Sequence, residues 1–227
     1  MSPAVILDVD GTLVDSNDAH AQAWVDAFNE AGIDVSYDRV RRAIGMGGDK
    51  LMPHVAGLAA DSREGTRIRK RRGEIFTEQY LPHITAFPRV RDLLQRFAAD
   101  GYTITVASSA QSDELDALLG IANVTDLITA RTSSDDAKRS KPDPDIVRAA
   151  LQQSKAAPDQ ALMLGDTPYD VEAAQRAGIR IVGVESGGWG ANDLRGASEI
   201  HPGVAEICAH YEASAFGRLI AGLRPTA

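Results

Sequence analysis

A single cysteine, Cys208, excludes an intramolecular disulfide and fits a reducing compartment, so a cytoplasmic protein is expected. No apolar run approaches the ~18 residues that a membrane-spanning helix requires, and the first apolar run lies so near Met1 that no secretory leader is expected. Basic residues are outnumbered 24 to 32, and the net charge of -8 disfavours nucleic acid, whose binding rests on phosphate neutralisation. Internal repeats and low-complexity tracts are missing as well. One basic run, Arg67 to Arg72 (RIRKRR), stands against the acidic balance; it reads as a solvated helix face, with contact to an anionic substrate or partner as the other reading. What remains is 227 residues, 44% of them hydrophobic, enough for one α/β core or a core with a smaller inserted domain.

Five apolar, often β-branched runs predict strands: Ala4 to Leu7, Tyr102 to Ala107, Asp126 to Thr129, Ala161 to Leu164 and Arg180 to Val184. Helical patterns over Pro88 to Ala99, Gln111 to Leu119, Asp143 to Gln153 and Pro168 to Ala177 alternate with them, which predicts a mostly parallel sheet covered on both faces. The stretch from Thr132 to Pro144 reads as a functional loop. Between the first two strands the chain runs far longer than a crossover needs and is helical in pattern. We therefore expect a catalytic core of residues 1–15 and 86–227 and a helical cap domain of residues 16–85, joined by two linkers.

At the end of the first predicted strand stands DVDGTLVDS. Residues i and i+2 of a strand project to the same side, so Asp8 and Asp10 share a pocket while Gly11 lets the backbone turn. At roughly 4 Å and an effective dielectric of about 20, two such anions repel by around 4 kcal/mol, which favours a hard cation or a retained proton. An Asp-Gly hairpin would explain the motif too, but Asp15 to Gly32 continues with helical rather than strand spacing. Ser108 ends the second strand in TVASSA, Lys141 precedes a helix in SKPDPD, and Asp166 and Asp170 bracket Thr167 and Pro168 in GDTPYD. Singly these read as a loop serine, a solvated lysine and a helix start. Their order along the chain is what gives them meaning, because active sites of parallel sheets lie beyond the strands' carboxyl ends.

That order, DVDGT, Ser108, Lys141 and GDTPYD, resembles the haloacid dehalogenase superfamily, and the helical insertion is similar to the cap of its phosphoglycolate phosphatase and β-phosphoglucomutase-like branch. The resemblance implies a Rossmann-like sheet of order 3-2-1-4-5. It implies Asp8 as nucleophile and Asp10 as acid and base, with Ser108 and Lys141 completing the catalytic set. Mg²⁺ on Asp8, the Asp10 carbonyl and Asp166 is expected, with Asp170 behind them. Gly11, Thr12, Ser109, His20 and Lys50 are the expected substrate contacts. The implied activity is Mg²⁺-dependent hydrolysis of a small phosphorylated metabolite by a monomer or homodimer, without nucleic acid or membrane. A sugar-phosphate mutase is the alternative, against which the Ser109 to Ser112 segment departs from the Lys-Asn pattern of those enzymes.

Overall fold

The computed structural model describes residues 2–133 and 138–223; of the expected Thr132 to Pro144 loop, residues 134–137 lie outside the described residues. Strand β1 (Ala4–Leu7) lies in the middle of a parallel sheet, between β2 (Thr103–Ala107) and β4 (Ala161–Gly165). Beyond these come β3 (Ala130–Thr132) on one side and β5 (Arg180–Val184) and β6 (Glu199–His201) on the other, giving the order β3-β2-β1-β4-β5-β6. The register aligns Leu7 with Val106 and with Leu164, so β1, β2 and β4 all end at one edge.

Alternation along the strands feeds two apolar layers. Val5 and Leu7 pack on one face with Val106, Leu164, Leu93, Phe97 and Phe216, whereas Ala4 and Ile6 join Met163, Ile146, Val147 and Ala174 on the other. Helices α5 (Val90–Ala99), α9 (Val204–Ala209) and α10 (Ala215–Leu223) supply the first layer, and α7 (Asp145–Ser154) and α8 (Pro168–Ala177) the second. Helix α6 (Ser112–Ile121) follows β2. Burial on both faces explains why the central strands read as continuous apolar runs.

Two strand expectations need correction. The run Asp126 to Thr129 is not a strand: Thr125–Leu127 is a 3-10 turn, and the edge strand begins at Ala130. Asp126 lies in that turn, its carboxylate accepting from both terminal nitrogens of Arg91 at 2.7 and 2.8 Å. Leu127 and Ile128 still cover the core, which is what made the run look strand-like. The sixth strand, Glu-Ile-His, is too short and polar to announce itself.

Between β1 and β2 the chain forms α1 (Asn17–Glu30), α2 (Tyr37–Arg41), α3 (Gly48–Ala56) and α4 (Arg63–Ile75), then a π-helical turn at Phe76–Tyr80 and a 3-10 turn at Leu81–His83. Ala21, Trp24, Val25 and Phe28 of α1 pack with Ile68 and Ile75 of α4, the apolar stripe predicted from their spacing. Entry and exit of this segment lie side by side: Asp15 N donates to Thr85 O at 2.9 Å and Phe87 N to Leu13 O at 3.0 Å. Among the described residues no helix is long and apolar enough to cross a membrane.

Candidate active site

Asp8 follows β1 directly, and its amide donates to Leu164 O at 2.9 Å, so the backbone stays in register for one more residue and delivers a buried carboxylate to the sheet edge. Asp166 leaves β4 at the same edge. Carboxylate oxygens of Asp8, Asp166 and Asp170 lie within 4.8 Å of one another, all buried. Lys141, 1% exposed, points into them; it pairs with Asp8 and lies 2.8 Å from Asp170 Oδ1. An all-oxygen cluster of this kind suits a hard cation with few protein ligands.

Electrostatics follow from that burial. The Asp8 carboxyl is pushed up to about 7, by burial first, with Lys141 opposing and Asp170 and Asp10 adding to the rise. Asp166 is raised well above the ordinary carboxylate range by burial, Asp8 and Asp170, although it accepts hydrogen bonds from Asn17 Nδ2 at 2.9 Å and Thr12 Oγ1 at 3.1 Å. Burial alone would lower Lys141, but Asp170 and Asp8 outweigh it and hold the ammonium above its usual value. Asp170 has a second task, closing a capping box at the start of α8: its Oδ2 accepts from Thr167 N at 3.0 Å while Thr167 Oγ1 accepts from Asp170 N at 3.1 Å.

Asp10 sits two residues beyond Asp8 in a different setting. Ser16 Oγ at 2.5 Å and His20 Nε2 at 2.6 Å both meet its Oδ1. Burial raises its carboxyl, yet His20, Ser16 and Arg72 together pull it down to about 2. Asp8 and Asp10 thus face one cleft of about 310 Å³ with opposite electrostatic biases.

Other expected residues fall into two groups. His20 and Ser109 line the cleft with Asp8 and Asp10. Ser108 is fully buried; its amide donates to Thr132 O, and its hydroxyl accepts from Ala110 N at 3.1 Å, which leaves the hydroxyl proton as a donor. Gly11 and Thr12 shape the loop: their amides go to Val14 O and Val9 O, and the Thr12 hydroxyl goes to Asp166. Gly11 has φ +73°, and a Cβ there would stand 2.2 Å from both Asn17 Nδ2 and Asp166 Oδ2. Lys50 does not line the cleft, because Asp143 at the end of the Lys141 turn captures it in an ion pair.

Several neighbours escaped sequence reasoning. Asn17 bridges Asp166 and Gly187 O, and Arg41 donates to that same carbonyl at 2.7 Å. The basic run divides: Arg71 pairs with Glu30 on the outside, while Arg69 and Arg72 line the cleft. Arg72 reaches His20 Nδ1 at 2.5 Å and Glu114 at 2.7 Å. Helical phase separates Arg71 from Arg69 and Arg72, but nothing in the string RIRKRR says which face meets the site.

The sequence profile of the haloacid dehalogenase-like hydrolase family matches residues 5–184. A phosphoglycolate phosphatase of Rhodospirillum rubrum is 33% identical over 197 residues, covering 80% of this chain and 79% of that protein. A validoxylamine A 7'-phosphate phosphatase of Streptomyces hygroscopicus is 28% identical over 188 residues, 81% of this chain and 86% of its own length. Among solved structures, a hydrolase from Pseudomonas syringae superposes with a TM-score of 0.85 at 27% identity, covering 92% of this chain and 98% of that one.

Proposed function

Starting from the fact that this chain belongs to the haloacid dehalogenase-like hydrolase family and is a phosphoric monoester hydrolase, we propose that it hydrolyses a small organic phosphomonoester through an aspartyl phosphate on Asp8, with Mg²⁺ as cofactor. One observation carries the reading: Asp8 and Asp10 share a cleft wide enough for a small metabolite, and a buried Lys141 and two further carboxylates stand behind Asp8.

Asp8 is the nucleophile. One of its oxygens attacks phosphorus and the bond to the leaving oxygen breaks; Asp10 gives that oxygen a proton when it enters the cycle as the carboxylic acid, against the bias of His20, Ser16 and Arg72 toward its ionised form. Asp10 then takes a proton from the water that hydrolyses the aspartyl phosphate. Lys141 and the Ser108 hydroxyl hold phosphoryl oxygens, where fixed donors contribute most to rate. Asp8 and Asp166 would hold the cation, with the Asp10 carbonyl added by the family resemblance and Asp170 behind them on Lys141 and Thr167. Bound there, Mg²⁺ would offset the carboxylate charge so that a phosphate dianion could approach.

Residues 16–85 act as the cap and residues 1–15 with 86–227 as the core. The paired linkers at Asp15 and Thr85 support this division, and so do the ion pairs Arg72 to Glu114 and Lys50 to Asp143 across the boundary. The reading takes the protein as a cytoplasmic monomer or homodimer, and the lone Cys208 fits the reducing setting. Screening two- to six-carbon phosphates with and without Mg²⁺ tests the reading. Phosphate release abolished by chelator and restored by Mg²⁺ is expected. Isomer formation from a hexose 1-phosphate without phosphate release would instead establish a mutase.

A further inference from the structure

The mechanism leaves a buried charge pair without a task. Glu114 on α6 and Arg72 on α4 come from opposite sides of the cleft and meet at 2.7 Å, with only 10% and 15% of their side chains exposed. Bringing two charges this far out of water is costly unless their remaining hydrogen-bonding capacity is used. Arg72 uses part of its capacity on His20, whose Nδ1 lies 2.5 Å from Nη2. The guanidinium ring-face contacts to Phe76 and Trp24, at 5.2 and 5.5 Å, hold it there.

A guanidinium has only donors. At that distance Nδ1 of His20 must present a lone pair, because a proton on it would face an Arg72 N–H head-on. The Glu114 oxygen nearest to Nδ1 is 4.0 Å away, too far to accept a hydrogen bond from it. The ring proton is therefore on Nε2, which faces Asp10 Oδ1 at 2.6 Å. Phe76 stacks on the imidazole with centroids 4.1 Å apart and 15° between planes, so ring rotation offers no escape.

Resting on the phosphatase reading, we infer that Glu114 is a positioning residue: it anchors Arg72, Arg72 makes Nδ1 of His20 an acceptor, and His20 then presents Nε2–H to Asp10, the acid and base of the reaction. The chain exists only while α4 lies against α6, so the proton-transfer group is set in place by the contact of the helical insertion with the sheet domain. Without Glu114 only the ring faces of Phe76 and Trp24 hold the guanidinium, which can then turn away from Nδ1; the imidazole proton can move to Nδ1, and Nε2 turns a lone pair toward the carboxylate. Asp10 would then lose one of its two side-chain donors and keep only the Ser16 hydroxyl.

Leaving-group dependence separates this from a merely structural role. Glu114→Ala is expected to lower kcat/KM by about tenfold or more for an alkyl phosphate that the parent hydrolyses, whose alkoxide needs a proton, and by under about threefold for p-nitrophenyl phosphate, whose phenolate leaves unaided. Glu114→Gln, which keeps an acceptor for Arg72, should recover most of the loss. Independently of activity, long-range ¹H–¹⁵N spectra of the imidazoles, assigned against His20→Asn, should show His20 as the Nε2–H tautomer in the parent and a shifted or mixed pattern in Glu114→Ala. Equal losses on both substrates, a parent His20 protonated on Nδ1, or a His20 pattern unchanged by Glu114→Ala overturns the inference. If the parent hydrolyses no phosphate the phosphatase reading falls instead, and the imidazole spectra alone decide the role of Glu114.

Discussion

Lys141 Nζ lies 2.8 Å from Asp170 Oδ1 and pairs with Asp8 as well, a buried ammonium shared by two buried carboxylates. Removing one partner of such a group leaves the others uncompensated, which typically costs about 3–5 kcal/mol. Lys141→Met should therefore lose stability on that scale in urea unfolding under chelator, and lose at least about a thousandfold in kcat, roughly 4 kcal/mol of transition-state stabilisation. Lys141→Arg should not restore activity, because a planar fork does not fit where a compact ammonium bridges two carboxylates. Unchanged unfolding in Lys141→Met would show that the lysine is not what balances the cluster.

Stability without metal should fall as pH rises. Asp8 is pushed up to about 7, mainly by burial, and Asp166 is raised as well, again mainly by burial, whereas an unfolded aspartate titrates near ~3.9. Between about pH 4 and pH 7 the folded protein binds more protons than the unfolded chain, so unfolding free energy decreases with pH across that window. The lowered Asp10 acts in the opposite sense, but only below the window, between about 2 and the unfolded value. In chelator, Tm at pH 8 should lie at least ~3 °C below Tm at pH 5.5. Saturating Mg²⁺ should remove the difference by stabilising the ionised carboxylates. A flat profile in chelator would contradict this account of the cluster.

Gly187 tests how tightly Asp166 is held. A Cβ on residue 187 would stand 1.6 Å from Asp166 Oδ2, and the Gly187 carbonyl anchors both Asn17 and Arg41. Gly187→Ala must displace the Asp166 carboxylate or break the Asn17 bridge. Metal affinity should drop by about 10–100-fold, the usual cost of disturbing a group that orients a ligand. Calorimetric titration with Mg²⁺ measures it. Parent-like affinity in Gly187→Ala would mean that Asp166 is not a ligand.

The parts of the site legible in the sequence are those that a parallel sheet places by itself. Asp8 and Asp166 follow apolar runs, and strand ends of such a sheet share one edge; that their strands are neighbours comes from the strand order the family resemblance implies. Lys141 and Asp170 became legible through the order of their motifs, since singly they read as a solvated lysine and a helix start. Asn17, Arg72 and Glu114 were not legible, because their positions depend on how one helix packs against another. Nor was the fate of Lys50, since its partner Asp143 lies 93 residues away in a turn whose course no local pattern sets. The late start of β3 escaped because Leu127 and Ile128 cover the core from a turn, and their apolar character reads the same as a strand's.

Asp8 and Asp10 should separate the two halves of the reaction. Asp8→Asn removes the attacking oxygen and should reduce turnover at least about a thousandfold, with no phosphorylated protein formed. Asp10→Asn keeps the nucleophile but loses both proton transfers, which affects the halves unequally when the leaving group is p-nitrophenolate. That group departs without an acid, so Asp8 can still be phosphorylated; the water that must free it has no base, so the aspartyl phosphate should accumulate. Asp10 is suited to that second task, being held ionised by Ser16 and His20 against the effect of burial. Intact-mass spectra after acid quench, taken within seconds of mixing with p-nitrophenyl phosphate and Mg²⁺, should show one added phosphoryl group on Asp10→Asn and none on Asp8→Asn. A phosphorylated Asp8→Asn protein would move the nucleophile elsewhere, and a fully active Asp10→Asn would leave proton transfer to another group.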